Sequence, residues 1–201
     1  RTMLLQCWSR RQLLAAVASV ASVTSPGSLG TLAPAFAAEG GAVSLLGDPA
    51  FSFEMAYPTG WEAAPKPVKT HQMESILKGP LHKAQLGLTV DPVKIGSLEE
   101  FGTLEQVTER VLAVEETRDG VQAVELRRAA AEKGSPTYYI IEYAVASSRG
   151  KKMYLCKYCI ANKRLYVLQT QAALDSYEAN SDGIRSQLEE AVSSFHVITR
   201  A

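Results

Sequence analysis

Residues 137–171 read TYYIIEYAVASSRGKKMYLCKYCIANKRLYVLQTQ, three strand-like runs separated by two short turns. Tyr139, Ile141, Tyr143 and Val145 recur at every second position, the period of a strand with one face turned to a core. Ser148-Arg149-Gly150 and Ala161-Asn162-Lys163 are too short for a crossover, so Thr137–Ser147, Lys152–Ile160 and Arg164–Gln171 must pair as antiparallel neighbours. A further run, Val121 to Arg128, precedes them, and the four together predict a β-meander.

Working outward, Phe51, Phe53, Met55 and Tyr57 alternate with Ser52 and Glu54 ahead of the Pro58-Thr59-Gly60 turn. A weaker run covers His71 to Leu77. Leu86, Leu88 and Val90 then alternate with Gln85, Gly87 and Thr89. Ser97 with Glu100 and Thr103 with Gln106 are successive capping-box patterns, predicting a helix whose stripe is Leu104, Val107, Val111 and Val114, with Thr108 on the other side. From Asp182, the positions Ile184, Leu188, Ala191, Val192 and Phe195 give a closing helix. The expected fold class is α+β: a central antiparallel sheet of about six strands flanked by helices, an α/β/α sandwich.

Residues 1–37 read as an address. Arg10-Arg11 precede an apolar run, Leu13 to Val23, too short to span a bilayer, and Ala35-Phe36-Ala37 suits a signal peptidase. The paired arginines match a twin-arginine export signal. Such export leads to the bacterial periplasm or, with an organelle transit peptide upstream, to the thylakoid lumen, and the opening on Arg1 favours the second. Residues 38–201 are expected to form one domain, with its core at about 50–198.

The 201 residues carry 21 basic and 21 acidic groups, but residues 1–38 hold three arginines and no acid, so the remainder has a net charge of −3. That balance argues against nucleic acid as a partner. Local basic clusters remain at Lys66 and Lys69 in a proline-rich stretch and at Arg149, Lys151 and Lys152 on a hairpin, candidates for docking an acidic protein face.

Cys156-Lys-Tyr-Cys159 has the spacing of a redox pair, yet it lies in a strand-like run. Residues three apart in a strand point to opposite faces, with Cα atoms ~10 Å apart against a bridging limit of ~7 Å. Two separate structural thiols are expected, and a thiol oxidoreductase is the less favoured reading. His71, His82 and His196 are scattered, with no metal-ligand spacing, no phosphate loop and no nucleophile motif. Catalytic residues, cofactor-binding residues and a small-molecule substrate are therefore not expected, and a metal site is undetermined.

Phe51-Ser52-Phe53 with Pro58 and Trp61, Ser97-x-Glu99-Glu100-Phe101-Gly102, Tyr138-Tyr139, Arg164-Leu165-Tyr166 and Ala191-x-Ser193-Ser194-Phe195 together resemble the PsbP-domain family of photosynthetic organisms. The resemblance spans roughly Ala50 to Ile198. It implies a central antiparallel sheet between helices, residence in the thylakoid lumen, and a non-catalytic extrinsic role, peripheral to the membrane, on the lumenal face of a photosystem. PsbP itself helps retain calcium and chloride in photosystem II, whereas relatives assist photosystem II repair, photosystem I assembly or the NDH complex. Support of photosystem II oxygen evolution, assembly or repair is the favoured role, with photosystem I or NDH assembly as the alternative. The resemblance implies no cofactor beyond a weak calcium association, and no metal-binding residue carries over. The stretch from Ala38 to Phe51 is short for the arm by which PsbP engages the reaction centre, and Cys156-x-x-Cys159 is not a PsbP hallmark.

Overall fold

A computed structural model describes residues 43–64 and 70–199. In chain order the elements are β1 (Val43–Asp48), β2 (Phe53–Pro58), β3 (Glu62–Ala63), β4 (Met73–Lys78) and β5 (Gln85–Pro92). The helices α1 (Leu98–Phe101) and α2 (Leu104–Glu116) follow, then β6 (Val121–Glu132), β7 (Tyr138–Ser147), β8 (Gly150–Ala161) and β9 (Arg164–Ala173). The chain closes with α3 (Leu174–Glu178), α4 (Ile184–Ser194) and β10 (His196–Val197). The expected meander is β6 to β9, within a seven-stranded antiparallel sheet of order β3-β4-β5-β9-β8-β7-β6. A second sheet, β1-β2-β10, was not anticipated as a separate layer.

The strand period divides the core in two. Leu86, Leu88 and Val90 of β5, with Leu168 of β9 and Leu155 of β8, face Leu188, Val192 and Phe195 at the α4 end and Phe53 and Met55 of β2. On the other face Tyr139, Ile141, Tyr143 and Val145 meet Val107 and Val111 of α2. Each layer is held by the removal of apolar side chains from water, about 1.5–3 kcal/mol for each fully buried large side chain.

The second sheet is fastened by polar groups at its ends. The Tyr166 hydroxyl donates to the Phe51 carbonyl at 2.7 Å, and Arg164 donates to the Ala50 carbonyl at 2.8 Å while lying over the Phe51 ring. The Tyr138 hydroxyl accepts the Val197 amide at 2.9 Å, beside Phe195. The motif residues Phe51, Tyr138, Arg164, Tyr166 and Phe195 are thus the joints between layers.

Both capping sites operate. The Glu100 amide donates to Ser97, and Thr103 with Gln106 forms a reciprocal box that starts α2. The buried stripe differs from the expected one at two positions. Thr108 is buried, its hydroxyl donating to the Leu104 carbonyl at 2.8 Å, and Glu115 replaces Val114 as the last inward residue. Thr108 tolerates burial because this bond satisfies its hydroxyl.

Sheet edges are blunted in two ways. β3 has two residues, and β6 is bulged at two places and carries Glu125, Arg127, Arg128 and Glu132. Leu168 is wholly buried at mid-sheet, whereas Leu126 on the β6 edge is 44% exposed. Leu168→Ala is therefore expected to cost about 2–5 kcal/mol in urea unfolding and Leu126→Ala no more than ~0.5 kcal/mol. Equal costs would mean that the layers are assigned wrongly.

Candidate functional site

The helix α2 packs on β6 and β7, and among the described residues no helix packs comparably on the same face of β4, β5 and β9. Between α2, the connection through Val93 and Ile95, and this bare face runs a groove of about 650 Å³. Its floor is the half of the alternation on β5 and β9 that lies on the α2 side: Gln85, Gly87 and Thr89, with the apolar Val167 and the amides Gln169 and Gln171. The Gln171 amide donates to Gln85 at 3.3 Å across the strand pair.

One end of the groove is basic. Lys152 is half-buried, and its Nζ donates to the Gln171 side-chain oxygen at 3.3 Å. No carboxylate pairs with it among the described residues. Burial pushes the Lys152 ammonium below its ordinary pKa, and the positive charges of Lys83, Arg118 and Arg149 push the same way. Backbone hydrogen bonds assemble this group. The Ala173 amide donates to the His82 carbonyl at 2.9 Å, and Ala173 is the cross-strand partner of Lys152, which carries Lys83 alongside. The Ser148 amide donates to the Gly120 carbonyl at 2.9 Å, fastening the turn after α2, with Arg118 and Asp119, to the hairpin that bears Arg149. Gly120 has φ +78°, and a Cβ there would stand 2.6 Å from the Ser148 hydroxyl, so this junction favours glycine.

Arg118 is itself committed. It donates to both oxygens of the buried Glu115 carboxylate, at 2.9 and 2.7 Å, and the Tyr143 hydroxyl donates to the same carboxylate. The opposite end of the groove is acidic, with Glu74 and with Asp91 held to His71 Nδ1 at 2.6 Å.

Of the residues singled out in the sequence, Arg149 and Lys152 come together at the groove, whereas Lys151 falls on the opposite side of the sheet by the strand period. Lys66, Lys69, Arg10, Arg11, Ala35 and Ala37 lie outside the described residues. Lys83 and Arg118 were missed, since only the two backbone contacts above bring them to Lys152. The amide floor had a sequence signal in the polar half of the β5 alternation.

Cys156 and Cys159 occupy different core clusters, one on the α2 face and one on the α4 face. Burial raises both thiols to about 12, so at neutral pH neither is a thiolate. Among the described residues no three His, Cys, Asp or Glu side chains converge as metal ligands.

Residues 46–197 match the PsbP family model. The chain belongs to the PsbP family. It is 26% identical over 116 residues to PsbP domain-containing protein 2, chloroplastic, of Arabidopsis thaliana, a match covering 56% of this chain and 50% of that protein. The chain thus spans about half the length of that relative. Cyanobacterial PsbP from Synechocystis sp. PCC 6803 superposes with a TM-score of 0.64 at 19% identity, covering 86% of this chain and 98% of that one. The Ran-binding protein Mog1p of Saccharomyces cerevisiae shares the fold, with a TM-score of 0.53 at 10% identity, covering 80% of this chain and 97% of that one. These two likenesses establish the PsbP domain's architecture as one that recurs at low sequence identity.

The thiols supply a direct test of the layer assignment. Native protein is expected to resist iodoacetamide at Cys156 and Cys159 across pH 7–9 and to react in denaturant. A folded pKa raised above the unfolded one adds stability that is fully present below about 9 and is lost as pH climbs towards about 12. Urea midpoints should accordingly fall over that window, and by less in Cys156→Ala. Rapid labelling of both thiols in the native state would contradict their burial.

Proposed function

We propose that the chain is a non-catalytic extrinsic protein of the thylakoid lumen that docks by its basic groove end onto an acidic lumenal face of a photosystem. The role that fits is support of photosystem II oxygen evolution, assembly or repair. The observation that carries the reading is the gathering of Lys83, Arg118, Arg149 and Lys152 at one end of an open groove on a domain whose remainder is acidic. Such a field steers association with an acidic partner and resists wrong partners. Membership of the PsbP family and the chloroplastic relative support a photosynthesis-associated, lumenal setting. Buried, protonated thiols on opposite sheet faces weigh against thiol exchange as the activity.

Rebinding to salt-washed thylakoids tests the docking. Arg149→Glu with Lys152→Glu is expected to reduce bound protein several-fold with little change in melting temperature. Wild-type binding is expected to weaken as salt rises from about 0.1 M to about 1 M, where the screening length falls from ~10 Å to ~3 Å. Salt-insensitive binding unaffected by the reversals would overturn the reading.

The targeting segment is a separate proposal: removal of residues 1–37 leaves a mature chain that retains β1, which begins at Val43. Amino-terminal sequencing of protein isolated from thylakoids should find a start near Ala38. A start upstream of Leu13 would show that the apolar run is not a removed signal.

A further inference from the structure

We propose that the groove beside α2 is a peptide-binding site that takes an extended acidic segment of a partner protein, its carboxylates at Lys152 and Arg149 and its backbone along Gln85, Gln169 and Gln171. The inference rests on the docking reading above and specifies the bound group.

Three features of the groove select this ligand. The groove sets the side-chain amides of Gln85, Gln169 and Gln171 among the apolar Ile76, Val93, Ile95 and Val167, so an extended peptide finds hydrogen-bonding groups for its backbone beside apolar surface for its side chains. The floor is also level at its centre, because Gly87 carries no side chain and the nearest atom to a Cβ placed there is 4.0 Å away, the Gln169 carbonyl oxygen. Finally, Lys152 is half-buried with an amide oxygen for its partner, and the nearby carboxylates are spoken for or outnumbered: Glu115 is held by Arg118, leaving Asp119 against Lys83, Arg149 and Lys152. An incoming carboxylate relieves the mutual repulsion of these cations and forms charge-assisted hydrogen bonds. Because Glu74 and Asp91 stand at the far end, the acidic residues of the segment must lie at the Lys152 end.

The test uses the full chain, labelled with nitrogen-15, titrated at low salt with a decapeptide of alternating glycine and glutamate. Its controls are the glycine–glutamine decapeptide and inorganic phosphate. Saturable shifts are expected at the side-chain amides of Gln85, Gln169 and Gln171 and at the backbone of Lys152, with the glutamine peptide at least about tenfold weaker. Lys152→Glu should lose at least tenfold in affinity. Lys151→Glu makes the same charge change one residue away on the other side of the sheet and should bind as the wild type does. Gly87→Val raises the groove floor without touching a charge and should block binding while melting as the wild type does. Equal effects of Lys151→Glu and Lys152→Glu, shifts scattered over other surface lysines, or no saturable shifts at all would overturn the site. Equal affinity for phosphate, with unchanged binding to Gly87→Val, would show an anion site without a peptide groove and overturn the peptide assignment. Loss of peptide binding alongside intact, salt-sensitive thylakoid rebinding would reject this inference alone and leave the docking reading standing.

Discussion

On β5 and β9 the side chains alternate between Leu86, Leu88, Val90 and Leu168, which α4 and the second sheet cover, and Gln85, Gly87, Thr89, Gln169 and Gln171, which no helix among the described residues covers. A slip of one residue in either strand would bury amides under α4 and expose leucines in the groove. The register of this central pair is therefore tied to the packing of α4 on one side and to the polarity of the groove on the other. Its neighbours extend the same constraint: Lys152 and Tyr154 of β8 fall on the groove side, and Leu155 and Cys159 on the α4 side.

Where this rule places a charge inside, the fold supplies a partner. Lys157 is 3% exposed on the α4 side, and its ammonium meets Glu132 at 2.9 Å and the Tyr138 ring at 4.5 Å. Glu142, also inward, accepts from the Tyr177 hydroxyl at 3.1 Å and pairs with Arg128. Removing one member of such a pair strands the other, which costs more than the pair itself contributes. Lys152 differs in having an amide for a partner and cations for neighbours, which is the ground for proposing it, and not Lys157, as a docking residue.

Elements governed by local rules were legible in the sequence. The Thr103 box starts α2, and the Asn162-Lys163 turn has both residues at positive φ, the conformation of a tight type I′ hairpin. The alternating runs became β2, β4, β5 and β6 to β9. Elements governed by distant pairing were not legible: β3 and β10 have two residues each, and β1 alternates between exposed and only half-buried positions, so none has a periodic signal of its own. The site was legible in the same proportion. Adjacent lysines on a strand take opposite faces, which separates Lys151 from Lys152 by parity, but Lys83 and Arg118 arrive through the His82–Ala173 and Gly120–Ser148 backbone contacts, which no spacing along the chain encodes.

The proposed contact surface is the basic end of the groove, as distinct from basic residues in general. Zero-length carbodiimide cross-linking joins a lysine to a carboxylate only where the two touch, so applying it to the protein rebound on thylakoids and mapping the joined peptides by mass spectrometry tests this surface most directly. Cross-links are expected from Lys152 and Lys83 to acidic residues of a lumenal protein, lost at high salt. Cross-links confined to Lys151, Lys163 or other lysines away from the groove would contradict the proposed surface.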